Sequence, residues 1–194
     1  EDALRPSKSL LFAARARRVP PGRDDKVILG WNGLMIGALA TAGRLLEDTS
    51  FVKAAVRAAT ELRAAMCRDG RWLHTCRNGV AKMDAFLDDL AALGHAWLDL
   101  HEATGDSAWH EDARRLADDI LARFSDVDNG AFFSTSPQHE VLLVRQKDVF
   151  DQAAPSGNSL AVHLLLRLGM DASGERCRAA AVRALGALQH AMTV

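Results

Sequence analysis

Apolar positions recur along this chain in long helical runs that come in pairs, the first member apolar nearly all round and the second on one face. Gly33 to Leu46 is of the first kind, carrying Leu34, Met35, Ile36, Ala38, Leu39, Ala40, Ala42, Leu45 and Leu46, and is expected to be buried on most sides. Phe51 to Met66 is of the second kind, with Lys53, Arg57, Glu61 and Arg63 turned outward. The same pairing recurs in Phe86 to Thr104 with Trp109 to Phe124, and in Pro155 to Leu168 with Glu175 to Met192. Asp48, Thr49 and Ser50, and later Asp106 and Ser107, are good N-cap residues in the connectors. A leading helix, Leu4 to Arg17, sets Leu10, Leu11 and Ala14 on one face and stops at Pro20-Pro21-Gly22.

Between pairs the period changes from helical to extended. Trp72 to Cys76 and Val80 to Lys82 flank Arg77-Asn78-Gly79, and Asn-Gly favours a tight hairpin because both residues tolerate positive φ. Asp128-Asn129-Gly130 turns into Ala131 to Thr135, for which Val141 to Arg145 is the expected strand partner.

The pairs are copies of one unit. Asp48, Thr49 and Phe51 match Asp106, Ser107 and Trp109 at a shift of 58, and Gly70, Trp72 and Thr75 match Gly130, Phe132 and Thr135 at 60. A third unit follows at 68, with Ala113 matching Ala181 and Ile120 matching Leu188. Hairpins that each leave one face unburied must stack side by side. With inner helices buried on both sides, the natural closure is a ring, so an all-α fold of toroid hairpins is expected. The repeats fall near 32–82, 86–148 and 155–192 of a single domain, 1–194. The same shifts line up Asn32, Leu90 and Asn158, and also Gly30, Asp88 and Ser156, so the polar residues at the helix starts are expected to converge on one end of the ring. Helix N-termini favour anions and polar ligands there.

Composition narrows the partners. A chain of 194 residues with 48% apolar and 25% charged residues suits one globular core. A net charge of −1 argues against nucleic acid or an anionic membrane as partner. No apolar run reaches the roughly 18 residues of a membrane span. Cys67, Cys76 and Cys177 form no CxxC pair, which fits free thiols in a reducing cytoplasm. The opening Glu1-Asp2-Ala3 lacks both a Met and a signal peptide, as a trimmed piece of a longer chain would. No histidine–carboxylate pattern calls for a metal, and no cofactor is expected.

Four motifs carry a resemblance: Asp24-Asp25-Lys26 followed by Trp31-Asn32-Gly33-Leu34-Met35; Phe86-Leu87-Asp88-Asp89; Gly130-Ala131-Phe132-Phe133; and Asp151 to Ser159. Together they are similar to the C-terminal part of the spermatogenesis-associated protein 20 family and its bacterial relatives. That resemblance implies a thioredoxin-like domain followed by a six-hairpin α/α toroid, like those of N-acylglucosamine 2-epimerases and six-hairpin glycosidases. Two positions depart from the pattern: Leu90 stands where a Tyr is usual, and Gly30 where a Ser or Thr is usual, so two hydroxyls are missing from the expected pocket. Three hairpins make about half of a six-hairpin ring. Association is therefore expected, through exposed ring edges or with further parts of a longer chain.

The resemblance implies roles for the residues at the helix starts, and each has a structural alternative. Asp24, Asp25 and Asp88 are the candidate acid–base residues for a small carbohydrate ligand; alternatively they cap helices or sit in a solvated loop. Trp31 is either a stacking platform for a sugar ring or a core aromatic. Lys26, Asp89, Asn32, Ser156 and Asn158 are candidate binding residues; alternatively Lys26 sits in a solvated loop, Asp89 answers the helix dipole, and Asn32 and Asn158 are mutual caps. His95 and His101 are candidates because epimerases of this fold use histidines to move protons; their spacing puts them on different helix faces. Arg145 and Asp151 complete the set; for Arg145 the alternative is a surface strand end. A carboxylate separation of about 5 Å would suit a retaining glycosidase and about 6.5–9.5 Å an inverting one. Two functions remain open: glycosidase-like or sugar 2-epimerase-like chemistry, and a non-catalytic binding module attached to a redox domain.

Overall fold

A computed structural model describes residues 4–140 and 143–192, with side chains up to Gln189 in the last helix. It contains α1 (Leu4–Ala16), β1 (Val27–Ile28), α2 (Leu29–Leu45), α3 (Thr49–Met66), β2 (Cys67–Arg68), β3 (Arg71–Arg77), β4 (Val80–Asp84), α4 (Leu87–Thr104), α5 (Ser107–Arg123), α6 (Gly157–Leu168) and α7 (Glu175–Met192). Each apolar helix packs against the amphipathic helix that follows it, and α2, α4 and α6 pack in that order as an inner row. The fold is all-α, an arc of toroid hairpins with a small sheet.

Helix α4 is the centre of the core. It is apolar almost all round and buried along nearly its whole length, with Leu87, Leu90, Leu93, Trp97 and Leu100 at 0–1% exposure. Helix α2 is equally apolar but buries one face only, through Leu29, Gly33, Ile36, Gly37, Ala40 and Gly43. Trp31 and Met35 on its other side are 66% and 60% exposed, because no described element packs there. The expectation of burial on most sides therefore holds for α4 and not for α2. The close fit of α2 on α4 depends on Gly33, where an added Cβ would lie 3.0 Å from the backbone of Ala92 and Leu93. Helix α1 buries nothing, and its expected apolar face, Leu10 and Leu11, is exposed.

The outer helices cap as their sequences suggest: Asp48 accepts from the Ser50 N–H and Asp106 from the Ala108 N–H. Strand β3 is the middle of the sheet, pairing antiparallel with β1, β2 and β4. Asn78-Gly79 turns β3 into β4 with both φ positive, at 51° and 74°. Asp69-Gly70 makes the same kind of turn, at 51° and 78°, between β2 and β3.

Among the described residues the second expected strand pair forms no ladder. Residues 141–142 lie outside the described residues, and 143–145 are not extended strand. Among the described residues Phe132 forms a single bridge, to Ser125. Side chains take the backbone groups instead: Asn158 bonds both Phe132 N–H and C=O, and Arg145 bonds the Thr135 carbonyl.

Candidate acid–base site at the start of α4

The inner-helix starts meet. The Gly30 N–H donates to Asp89 Oδ1 at 2.8 Å, which ties the start of α2 to that of α4. An added Cβ on Gly157 would lie 3.1 Å from Leu87 Cδ2 and 3.3 Å from the Asp88 nitrogen, so α6 abuts the same place. The missing Cβ at Gly30 and Gly157 eases this close approach of three helix ends.

Asp89 is fully buried. Its Oδ2 accepts from the Phe86 N–H at 3.0 Å, half of a capping box, and from His74 Nδ1 at 2.6 Å. A carboxylate only accepts, so Nδ1 carries the proton and Nε2 remains for other chemistry. Among the described residues His74 Nε2 makes no hydrogen bond, and the side chain is 21% exposed. The bond to Asp89 lifts the imidazole above its ordinary value, against the opposing effect of partial burial.

His74 reaches this place because β3 alternates. Trp72, His74 and Cys76 share the face turned to the core, and the pairing of Val27 with Cys76 brings Lys26 within electrostatic reach of the imidazole. The Phe86 ring stands edge-on to His74 at 4.9 Å between centroids. The hairpin pattern of Trp72 to Cys76 gives His74 no role of its own. The available signal was a histidine flanked at two residues on each side by Trp72 and Cys76, on the buried face of a strand.

Asp88 occupies the second turn-forming position of α4, where a helix dipole would lower its carboxyl. Burial instead raises it, with the charge of Asp89 as the second cause. The side chain meets solvent, yet enough protein surrounds it to disfavour its charge. No other side chain among the described residues bonds it. One carboxyl with raised proton affinity, beside an imidazole anchored through its far nitrogen, can give and take a proton.

The other candidate residues have other employment. Asp25 pairs with Arg77 at 2.6 Å and Asp24 with Lys26 at 3.4 Å in an exposed loop, and neither caps a helix. Helix α2 starts earlier than expected, so Trp31 and Asn32 belong to its first turn; Asn32 donates back to the Ile28 carbonyl at 2.8 Å. Asn158 is fully buried, accepts from Phe132 N–H and donates to the carbonyls of Phe132 and Asp148. Ser156 caps α6, and Asp151 accepts from the Ser156 N–H and the Ser159 hydroxyl.

His95 donates from Nε2 to the Leu160 carbonyl at 3.0 Å and accepts from Arg167, and burial drives it down to about 4, so it is neutral. His101 lies at the far end of α4, bonded to the Asp106 carbonyl. Arg145 lies over the Phe133 ring at 4.1 Å. All three cysteines are free, and no metal-ligand cluster occurs among the described residues. No described helix is long and apolar enough to cross a membrane.

No family model matches the chain. Spermatogenesis-associated protein 20 of Homo sapiens is 36% identical over 169 residues, 81% of this chain and 22% of that protein. The chain thus spans about a fifth of the length of the curated relatives it matches. The fold matches an unsaturated glucuronyl hydrolase from Bacillus sp. GL1 (TM-score 0.66, 19% identity), over 89% of this chain and 49% of that one. It also matches a cellobiose 2-epimerase from Spirochaeta thermophila (TM-score 0.67, 15% identity), over 84% and 43%. The fold is therefore that of (α/α)6-toroid glycosidases and epimerases, and the chain covers about half of such a ring.

Proposed function

Because this chain is a homologue of a segment of spermatogenesis-associated protein 20, folded like glycoside hydrolases and sugar epimerases, we propose that it performs acid–base chemistry on a carbohydrate at the start of α4. Asp88 is the proton donor, its proton affinity raised by its surroundings. His74 is the acceptor through Nε2, and Asp89 positions it and stabilises the imidazolium that forms. Trp31, next to Gly30 and 66% exposed, offers an apolar platform to a sugar ring.

The observation that carries this reading is the Asp89–His74 pair beside Asp88, which has no side-chain partner among the described residues. Asp24 and Asp25, tied to Lys26 and Arg77, drop to outer positions in it. A binding module without catalysis is the second reading. It is favoured by the number of polar residues, Asn158, Ser156 and Asp151 among them, that are consumed in caps and joints.

The test is turnover of neutral aryl glycosides and reducing disaccharides in deuterated water, read by proton NMR for bond cleavage and for exchange at the carbon beside the anomeric centre. Cleavage or exchange is expected, falling about 10²–10⁴-fold in Asp88→Asn and in His74→Gln. Activity that survives both substitutions, or no reaction with any sugar, contradicts it.

A further inference from the structure

Beside the α4 start lies a cleft of about 570 Å³. It opens between the β3–β4 hairpin and the loop after Gly130, lined among others by Arg71, Met83, Asp84, Phe86, Gln138 and Glu140. Its volume is in the range of small-molecule sites. Phe86 links it to the acid–base residues: one edge of the ring meets His74, and the His139 ring lies 4.9 Å from it on the cleft side. His139 is itself fixed, with Nε2 on the Asp84 carbonyl at 3.0 Å and Nδ1 accepting from Ser136.

We infer that this cleft binds the sugar unit flanking the reacting bond, and that the unit is a neutral hexose and not a uronic acid. The inference rests on the proposed carbohydrate chemistry and adds the substrate class. Phe86 and Met83 supply the apolar surface that the C–H face of a pyranose needs. Gln138 and Arg71 supply donors for hydroxyls. The charges select against an anion, because Asp84 and Glu140 outnumber Arg71 in the lining. A second observation singles out Met83. It holds φ at +60° within a strand while its side chain is 55% exposed. A long side chain kept in a costly backbone conformation, with little burial in return, is the pattern of a residue retained for contact with a ligand.

Met83→Gly makes the test sharp. Glycine adopts this φ without strain, so the variant folds at least as well as the parent while the apolar platform is lost. Backbone amide NMR of the 194-residue chain, titrated with neutral methyl hexopyranosides and with methyl glucuronopyranoside, reads the site directly. A neutral glycoside is expected to shift the amides of Arg71, Phe86 and Gln138. The glucuronide should bind roughly tenfold more weakly through like-charge repulsion, and Met83→Gly should weaken the neutral sugar roughly tenfold with no loss of Tm. Amides that stay unmoved by every sugar, a glucuronide that binds as tightly, or a Met83→Gly variant that binds like the parent would overturn the inference. Asp88→Asn separates the two proposals. Cleft binding that persists without any turnover in the parent upholds the cleft and refutes the chemistry; turnover lost in Asp88→Asn with the cleft amides silent does the reverse.

Discussion

Two joints between inner helices, built from similar residues, end in opposite states. At the α4–α6 joint the buried Asn158 and His95 are both spent: Asn158 has its amide bonded to Phe132 and Asp148, and His95 is neutral between Leu160 and Arg167. At the α2–α4 joint Asp89 is equally spent, on Gly30, Phe86 and His74, but the groups around it are not. His74 Nε2 and the Asp88 carboxyl remain available. A buried polar group with all its bonds made specifies a structure. A satisfied group that leaves a titratable neighbour free can instead do chemistry. The difference comes from β3, which delivers a histidine to one joint; the other receives the irregular Phe132 loop.

Substitutions at the two joints sharpen this contrast. Asp89→Ala strands the Gly30 and Phe86 N–H groups and His74 in the interior, and should cost about 3–5 kcal/mol in urea unfolding. Asn158→Ala strands three backbone groups and should cost about 3 kcal/mol. Only the first should move the titration of His74; an equal effect of both would erase the distinction.

The joints also respond oppositely to pH. His95 is neutral in the fold down to about 4 and takes up a proton near 6.5 when unfolded. Its contribution is therefore whole above that value and is lost as pH falls from 6.5 to about 4. About 3 kcal/mol is at stake there. His74, raised in the fold, contributes stability that is whole below 6.5 and lost as pH rises through its folded value. Thermal unfolding across pH should show the acid-side loss vanish in His95→Gln and the alkaline-side loss vanish in His74→Gln.

Smaller effects follow from the close approach of the helix starts. Gly30→Ala would place a Cβ 3.0 Å from Asp89 Oδ1 and 3.3 Å from its Cα, and should cost about 1–2 kcal/mol by pushing that carboxylate aside. Asp88→Asn should leave Tm unchanged or slightly raised at neutral pH, since it removes a charge that its surroundings disfavour. A marked loss of stability would make Asp88 a structural residue.

Much of the fold is written in the apolar pattern. The paired helices and the Asn78-Gly79 hairpin follow from period and turn chemistry, which are local. The bare face of α2 does not, because burial depends on a neighbour. Nor does the loop around Phe132, where Asn158 and Arg145 replace a strand partner from far along the chain. The site divides the same way. Asp88 and Asp89 are visible as acids at a helix start. Which of them is consumed is set by Gly30 and His74, many residues away, and His74 shows itself only once β3 is known to face inward.

The most direct measurement is the nitrogen-detected NMR titration of the His74 imidazole, in the parent chain and in Asp89→Asn. The structure predicts a midpoint above 6.5 in the parent, with the proton on Nδ1 in the neutral form, falling when Asp89 loses its charge. A midpoint at or below 6.5, or one that Asp89→Asn leaves unmoved, would contradict the pair on which the proposed chemistry stands.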